Sequence, residues 1–135
     1  MKHHIKLLAI LFFVSNNIFA QNSVIKVVKV LRSVETNIRK DYSSKGINVF
    51  EKNRAYLLIE INDPTLYTKY NNHFDAFCDE VAQKVITYCN AKDVSFIKGY
   101  EEIRISFINK NKAVSHVLKI KSIKIKDMYN AQSLK

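Results

Sequence analysis

Glycine and proline are nearly missing from this sequence. Its 135 residues include only two glycines, Gly46 and Gly99, and a single proline, Pro64. Sandwiches and barrels built from many short strands usually need more turn residues than this. The shortage therefore favours a fold with a few long helices and strands.

Motifs that carry catalysis are also lacking. The chain contains no nucleophile elbow, no H-E-x-x-H zinc motif and no glycine-rich phosphate loop, and each of those chemistries needs its own fixed spacing. His73 and Cys78 are five residues apart, which places them about 140° apart around a helix, so they are poor partners for nucleophilic catalysis. We therefore expect no catalytic site.

Metal and cofactor sites are not expected either. The histidines and cysteines lack the paired spacing of zinc ligands. Asp75 and Asp79 lie one helical turn apart, but two carboxylates without further oxygen ligands bind a cation weakly. His116 falls on the apolar face of a predicted strand and is interpreted as a core residue. The sequence thus predicts no metal and no other cofactor.

One long apolar run is present, and it lies at the N-terminus. Lys2 and Lys6 precede an unbroken apolar stretch over residues 7–14, and a more polar segment follows that ends at Ala20. This three-part layout is typical of a secretory signal peptide. The run is shorter than the ~20 apolar residues that a bilayer-spanning helix requires. We therefore expect export, to the periplasm or the medium.

Cleavage is expected after Ala20, although Ile18 is bulkier than the small residue usual at that position. Residues 1–20 are then the signal peptide, and residues 21–135 form a single globular domain. Removing two of the 22 basic residues and none of the 12 acidic ones leaves this domain with a net charge of +8. A domain of this size can bury a core without disulfide support.

The longest helical signal runs from Asp63 to Asn90. Asp63 suits an N-cap, and Pro64 suits the first helical position because its missing N–H has no helical partner there. Apolar side chains then recur every three or four residues, which is the spacing of one helix face. They are Leu66, Tyr70, Phe74, Phe77, Val81, Val85 and Tyr88. Residues 23–42 predict an earlier helix capped by Ser23, although the β-branched content of residues 24–30 also allows a strand in the first half.

Alternating apolar residues predict the strands. One strand covers residues 54–61, another residues 100–108 and a last one residues 113–126, with residues 94–97 as the start of the second or as a separate short strand. The intervening residues 41–53 are interpreted as a connection, residues 109–112 as a hairpin loop and residues 127–135 as a loose tail. In the last strand the apolar parity changes, which predicts a β-bulge near Lys121 or Ser122.

The sequence therefore predicts the α+β class. Two helices pack on one face of a small mixed or antiparallel sheet of three to four strands, in the order α-β-α-β-β. Cys78 and Cys89 are eleven residues apart on the long helix, about 16 Å along its axis. A disulfide needs Cα atoms within about 7 Å, so both thiols are expected to be free and buried. A bridge between chains, or a helix that breaks near Thr87, is the alternative.

The last predicted strand is rich in lysine. Six lysines fall within seventeen residues that contain no acid, namely Lys110, Lys112, Lys119, Lys121, Lys124 and Lys126. Lysine protects an exposed sheet edge from unwanted pairing, and a basic ribbon also attracts anionic surfaces. Few arginines or aromatic residues accompany these lysines, so a dedicated nucleic-acid site is not predicted.

The function expected from the sequence is that of an exported, non-catalytic binding or accessory module. Its candidate contact surface is Lys119, Lys121, Lys124 and Lys126, placed on the water-facing side of the last strand. Its expected partner is an anionic lipid, a polysaccharide or another envelope protein. One alternative is a small secreted enzyme that uses His73 or His116 in a pocket between helix and sheet. Another is a homodimer subunit.

Overall fold

In a computed structural model, the backbone is described for residues 2–111 and 113–133, and side chains for residues 21–111 and 113–131. The chain divides into two units, Met1–Val30 and Leu31–Lys135. Helix α1, Lys2–Asp41, begins in the first unit, so Ser23 lies inside a helix and is not its cap. The side chains of the expected signal peptide, residues 1–20, are outside the described residues, and its removal stays a prediction. No described helix is long and apolar enough to cross a membrane.

The second unit is an α+β fold with a four-stranded sheet. After α1 come β1 (Ile47–Lys52), β2 (Tyr56–Ile61), α2 (Pro64–Tyr70), α3 (Phe74–Lys92), β3 (Glu102–Asn111), β4 (Val114–Lys124) and α4 (Ile125–Ser133). The strands lie in the order β1-β2-β3-β4. The central pair β2 and β3 is parallel, and both outer pairs are antiparallel. The predicted class and mixed sheet are confirmed.

One face of the sheet carries the core. Alternate residues of the two central strands are fully buried, namely Leu57, Ile59, Ile61, Ile103, Ile105 and Phe107. Their periodicity of two is the one that the sequence predicts for a sheet face packed against helices. The Phe77 ring of α3 stacks on Phe107 with ring centroids 5.4 Å apart. This contact joins the helix layer to the centre of the sheet.

The start of α2 follows the sequence prediction. The Asp63 carboxylate accepts hydrogen bonds from the N–H groups of Thr65 and Leu66 at 2.9 and 3.0 Å. The hydroxyl of Ser44 donates to its other oxygen at 2.5 Å. The bond from Ser44, followed by those two backbone N–H groups, holds the pKa of Asp63 below its ordinary value. Asp63 is therefore the N-cap of α2 and also ties that helix to the segment after α1.

The long predicted helix is wrong in one respect, because it is interrupted. Residues Asn71–His73 form a 3₁₀ turn between α2 and α3. Asparagine and histidine are weak helix formers, and the Asn71 carbonyl accepts a hydrogen bond from the Lys119 ammonium at 2.8 Å. Across the interruption, the Tyr70 ring of α2 stacks on the Phe77 ring of α3 with centroids 4.2 Å apart. A contact to a distant strand thus stabilises a break that local spacing does not reveal.

Three further segments differ from the sequence prediction. Residues 94–97 are not a strand, because the Asp93 carboxylate accepts bonds from the N–H and hydroxyl of Ser95 and closes a turn. A 3₁₀ turn over Ile97–Gly99 follows. The predicted tail forms α4 over Ile125–Ser133, and residues 134–135 lie outside the described part. The predicted connection 41–53 contains strand β1.

Candidate functional site

The first edge of the sheet is closed. Beside β1, the Glu35 carboxylate accepts the N–H of Val49 at 3.0 Å. The Arg39 guanidinium donates to the carbonyl of Ile47 at 2.6 Å. These two side chains, one turn apart on α1, also pair with each other at 2.9 Å. Side chains of α1 therefore occupy the backbone groups that an additional strand would need at β1.

The opposite edge, formed by β4, is open. The N–H of Ile125 donates to the carbonyl of Glu101 at 3.0 Å, which continues the β3–β4 ladder. Backbone groups point alternately toward and away from the partner strand in an antiparallel pair. Ile120, Ser122 and Lys124 therefore direct their N–H and C=O groups away from β3. Within the described residues no group bonds to that side of β4.

The turn end of the β3–β4 hairpin projects beyond the rest of the sheet. Strand β2 ends where Ile61 pairs with Phe107, while β3 and β4 remain paired as far as Asn111 and Val114. We call residues 109–118 the hairpin arm, and each of its described residues is exposed. An isolated two-stranded hairpin is only marginally stable in water. The arm therefore has backbone and side chains available for a partner.

Strand β4 exposes large apolar side chains. Val114, Val117, Leu118 and Ile120 are 55%, 60%, 43% and 54% exposed. Single exposed apolar residues are ordinary, but a contiguous group on an open sheet edge is typical of an interaction site or an aggregation hazard. The same strand thus combines free backbone groups with apolar surface.

The four candidate lysines do not form one patch. Lys119 and Lys121 are half-buried on the helix side of β4, opposite Phe107 and Ile105. Lys124 is exposed on the other face of β4, and Lys126 lies on α4. The prediction that these lysines share the water face while Ile120 turns inward is therefore wrong.

Lys121 is held by acidic groups of α3. Its ammonium lies 2.9 Å from the Asp79 carboxylate and 3.5 Å from the Asp75 carboxylate. It also donates to the Asp75 carbonyl at 3.3 Å. Partial burial lowers the pKa of Lys121, but the hydrogen bond and charge of Asp79, together with Asp75, raise it above its ordinary value. Its charge is committed within the fold.

The position of the β-bulge explains why Lys119 and Lys121 face the helices while Ile120 faces water. Phe107 pairs with Lys119, but the next residue, Ile108, pairs with Val117. Leu118 is therefore the extra residue of β4, three positions or more before the predicted Lys121 or Ser122. A bulge shifts the side-chain parity of everything after it. Placed at Leu118, it turns Lys119 and Lys121 toward the helices.

A cleft of about 570 Å³ lies beside β4 at the interruption between α2 and α3. Its polar lining includes Asn72, His73, Asp75 and Lys119, while Ala76 and Ile120 also border it. The Lys119 ammonium lies 5.6 Å from the Phe74 ring centroid, a cation–π distance. The cleft is thus adjacent to the open edge, and one of its walls is β4 itself.

Of the two histidines considered for a pocket between helix and sheet, His73 borders the cleft and His116 does not. His73 is exposed at the start of α3 and makes no side-chain capping bond. His116 is exposed on the hairpin arm opposite Asn109, so its interpretation as a core residue is wrong. Within the described residues, no group of three or more histidine, cysteine or acidic side chains could hold a metal ion.

Both cysteines are buried and free on α3. Burial raises the pKa of each thiol, Cys78 and Cys89, to about 12. At mildly alkaline pH only about one thiol in ten thousand is then ionised, and the thiolate is the reactive form.

We expect neither cysteine to react with iodoacetamide in the native protein. In denaturant both thiols become exposed, and both should be alkylated at the rate of an ordinary cysteine. Intact-mass measurement before and after denaturation counts the added groups, and non-reducing conditions reveal any bridge between chains. Rapid labelling of either thiol in the native protein would contradict the burial of Cys78 and Cys89 on the inner face of α3.

Comparison with known proteins gives no match: no family model, curated protein or solved structure is significantly similar to this chain. Function is therefore inferred from geometry and charge. The features that carry it are the open edge of β4, its exposed apolar residues and the adjacent cleft.

Proposed function

We propose that this protein is an exported, non-catalytic binding module that captures an extended, acidic segment of another protein. The segment adds to the four-stranded sheet as a new strand alongside β4. The observation that carries the proposal is the difference between the edges: α1 closes β1, whereas β4 is open within the described residues. Export rests on the leader-like residues 1–20.

Strand addition uses two sources of affinity. Main-chain hydrogen bonds along the edge contribute about 0.5–1.5 kcal/mol each. Burial of apolar surface adds about 25 cal/mol per Å². The outward backbone groups of Ile120, Ser122 and Lys124 supply the first, and the exposed side chains of Val117, Leu118 and Ile120 supply the second.

Charge favours an acidic partner over a second copy of this chain. Residues 103–126 contain seven basic residues and no acid. Two β4 strands paired with each other would bring like charges together, which is unfavourable in cross-strand pairs. An acidic segment instead meets Lys110, Lys124 and Lys126, which are exposed and have no ion-pair partner within the described residues.

A protein partner also fits better than a lipid or polysaccharide surface. Such surfaces offer no backbone to pair with the open edge. Of the four candidate lysines, Lys121 is already paired with Asp79, and Lys119 is half-buried on the helix side of β4, where a flat surface does not reach it. The exposed lysines Lys110, Lys124 and Lys126 are spread over the hairpin arm, β4 and α4, which makes a weak patch for a flat anionic surface.

The edge is tested by Ser122→Pro, with Ser122→Ala as the matched control. Proline removes the outward N–H of an exposed residue without removing a β3–β4 hydrogen bond, and edge strands tolerate it there. The probe is a fluorescein-labelled peptide in which valine and glutamate alternate. We expect Ser122→Pro to weaken binding about tenfold and Ser122→Ala to leave it unchanged, as measured by fluorescence anisotropy.

Matched probes separate the other partners. A valine–lysine peptide should bind at least about tenfold more weakly than the valine–glutamate peptide, because of its charge. Heparin or phosphatidylglycerol vesicles retained equally by wild type and Ser122→Pro, with no peptide binding, would overturn the proposal. So would a concentration-dependent dimer in sedimentation that Ser122→Pro abolishes, because it would assign the edge to a second copy.

A further inference from the structure

We infer that the cleft between β4 and the start of α3 is a side-chain pocket that selects one acidic residue of the added strand. This inference rests on the proposed function and specifies its ligand: an extended segment with a glutamate or aspartate at one fixed register. The cleft then provides sequence selectivity, while the open edge provides the general affinity.

The register of β4 places the cleft beside an added strand. Adjacent strands lie about 4.8 Å apart, and their side chains alternate between the two faces. Lys119 and Lys121 mark the helix side of β4, since they pair with Phe107 and Ile105 of the core face. Every second side chain of an added strand points to that same side. The cleft of about 570 Å³ lies there, and Lys119 lines it.

The donors in the cleft suit a carboxylate. An ammonium carries three N–H donors, and among the described residues that of Lys119 has one hydrogen-bond acceptor, the Asn71 carbonyl at 2.8 Å. Two of its donors are therefore available. The exposed side chains of Asn72 and His73 border the same cleft and add further donor capacity.

The acidic residue of the cleft does not oppose this assignment. Asp75 also lines the cleft, but its side chain is 87% exposed and lies 3.5 Å from the Lys121 ammonium, so water screens its charge and Lys121 offsets part of it. Asp79 shares Lys121 at 2.9 Å. Lys119 lines the cleft and has no carboxylate partner among the described residues, so it is the cation that an entering carboxylate meets.

A second cleft lies near the end of β4. It measures about 300 Å³, and its lining includes Lys124 and Lys126. Both lysines are exposed, whereas Lys119 is half-buried. Water and salt screen exposed charges more strongly, so the preference for glutamate over glutamine is expected to be largest at the register of Lys119.

The test is a peptide series in which valine and threonine alternate and one glutamate, or one glutamine, moves along the chain. Wild-type protein is expected to prefer glutamate over glutamine about tenfold at one register only. Lys119→Gln should remove this preference, and Lys119→Arg should retain it. The peptide without any charge should bind wild type and Lys119→Gln equally.

A second variant narrows the cleft without any substitution in β4. Ala76 is exposed on α3 and lines the cleft, so Ala76→Leu narrows the cleft while leaving the backbone edge free. Ala91→Leu, at another exposed position of the same helix, is the matched control. Ala76→Leu should abolish the glutamate preference, whereas Ala91→Leu should preserve it.

The outcomes separate the pocket from the edge. Peptide binding that Ser122→Pro weakens, together with equal affinity for glutamate and glutamine at every register, would overturn the pocket and leave the proposed function intact. A preference that survives both Lys119→Gln and Ala76→Leu would also overturn it. If wild type binds no peptide of either series, the proposed function fails, and the pocket fails with it.

Discussion

Replacing Phe107 by alanine is expected to lower the free energy of unfolding by about 3–5 kcal/mol. Phe107 is fully buried on the core face of β3. Its ring lies 5.4 Å from that of Phe77, 5.6 Å from that of Phe74 and 5.5 Å from that of Tyr67, measured between centroids. Alanine would remove all three contacts and leave a cavity in close-packed surroundings.

The position of Phe107 makes this loss larger than an average core truncation. Tyr67 belongs to α2, and Phe74 and Phe77 belong to α3, so one ring joins both helices to the sheet. Aromatic pairs contribute about 0.5–1.5 kcal/mol beyond their buried area. A domain of this size is stable by only about 5–15 kcal/mol. Phe107→Ala therefore removes a large fraction of its stability.

Urea unfolding followed by circular dichroism measures the effect. Phe50→Ala is the control, because Phe50 lies on β1 with 39% of its surface exposed, and we expect a loss below about 1 kcal/mol there. Phe107→Leu keeps most of the volume and should cost less than Phe107→Ala. Equal losses for Phe50→Ala and Phe107→Ala would contradict the packing of the helices on this face.

Local physical chemistry made part of this fold predictable. The N-cap of α2 depends on Asp63 and Pro64, which are adjacent in sequence, and the structure confirms it. The buried faces of β2 and β3 follow from an alternation that needs no tertiary information. In both cases the residues that decide the structure lie within one element.

Strand β1 was missed because its signal is weak. Only Ile47 and Val49 of its six residues are buried, and no glycine or proline marks the turn that follows. Asn53 and Arg54 adopt positive φ angles of 53° and 56°, and such a pair closes a tight hairpin. An asparagine directly before a predicted strand is the signal that favours a hairpin at this point.

The inward position of the β4 lysines depends on partners distant in sequence. Lys119 donates a hydrogen bond to the Asn71 carbonyl, and Lys121 pairs with Asp75 and Asp79. These acceptors come within reach of β4 only when the α2–α3 region packs beside it. Spacing within β4 indicates that a bulge is needed, but these contacts and the hairpin register place it at Leu118. The lysine-rich composition of β4 is therefore evident from the sequence, whereas the direction of its side chains and the position of the cleft can be seen only in the structure.

Replacing Gly46 by alanine is expected to destabilise the protein by about 1–3 kcal/mol. A Cβ atom on Gly46 would overlap the carbonyl oxygen of Asn62 and lie 2.9 Å from its carbonyl carbon. Backbone atoms cannot rotate away as a side chain can. The N–H of Asn62 also donates to the Gly46 carbonyl at 2.8 Å, so a shift that relieves the overlap strains this bond.

The same shift reaches the N-cap of α2. The N–H of Gly46 donates to the Ser44 hydroxyl oxygen at 3.2 Å, and that hydroxyl donates to the Asp63 carboxylate at 2.5 Å. Moving Gly46 therefore disturbs the bonds that connect the start of β1 with the start of α2. This link is a reason to expect the upper part of the range.

Gly99→Ala is the matched control, because no atom lies within 4 Å of the Cβ that alanine would add there. Without a clash, alanine reduces the freedom of the unfolded chain and should change stability by less than about 1 kcal/mol, in the stabilising direction. For a domain of about this size, each 1 kcal/mol shifts Tm by roughly 4–8 °C. Thermal unfolding should thus show a clear decrease in Tm for Gly46→Ala and none for Gly99→Ala. Equal Tm values would mean that β1 and the β2–α2 junction do not approach each other as closely as the fold requires.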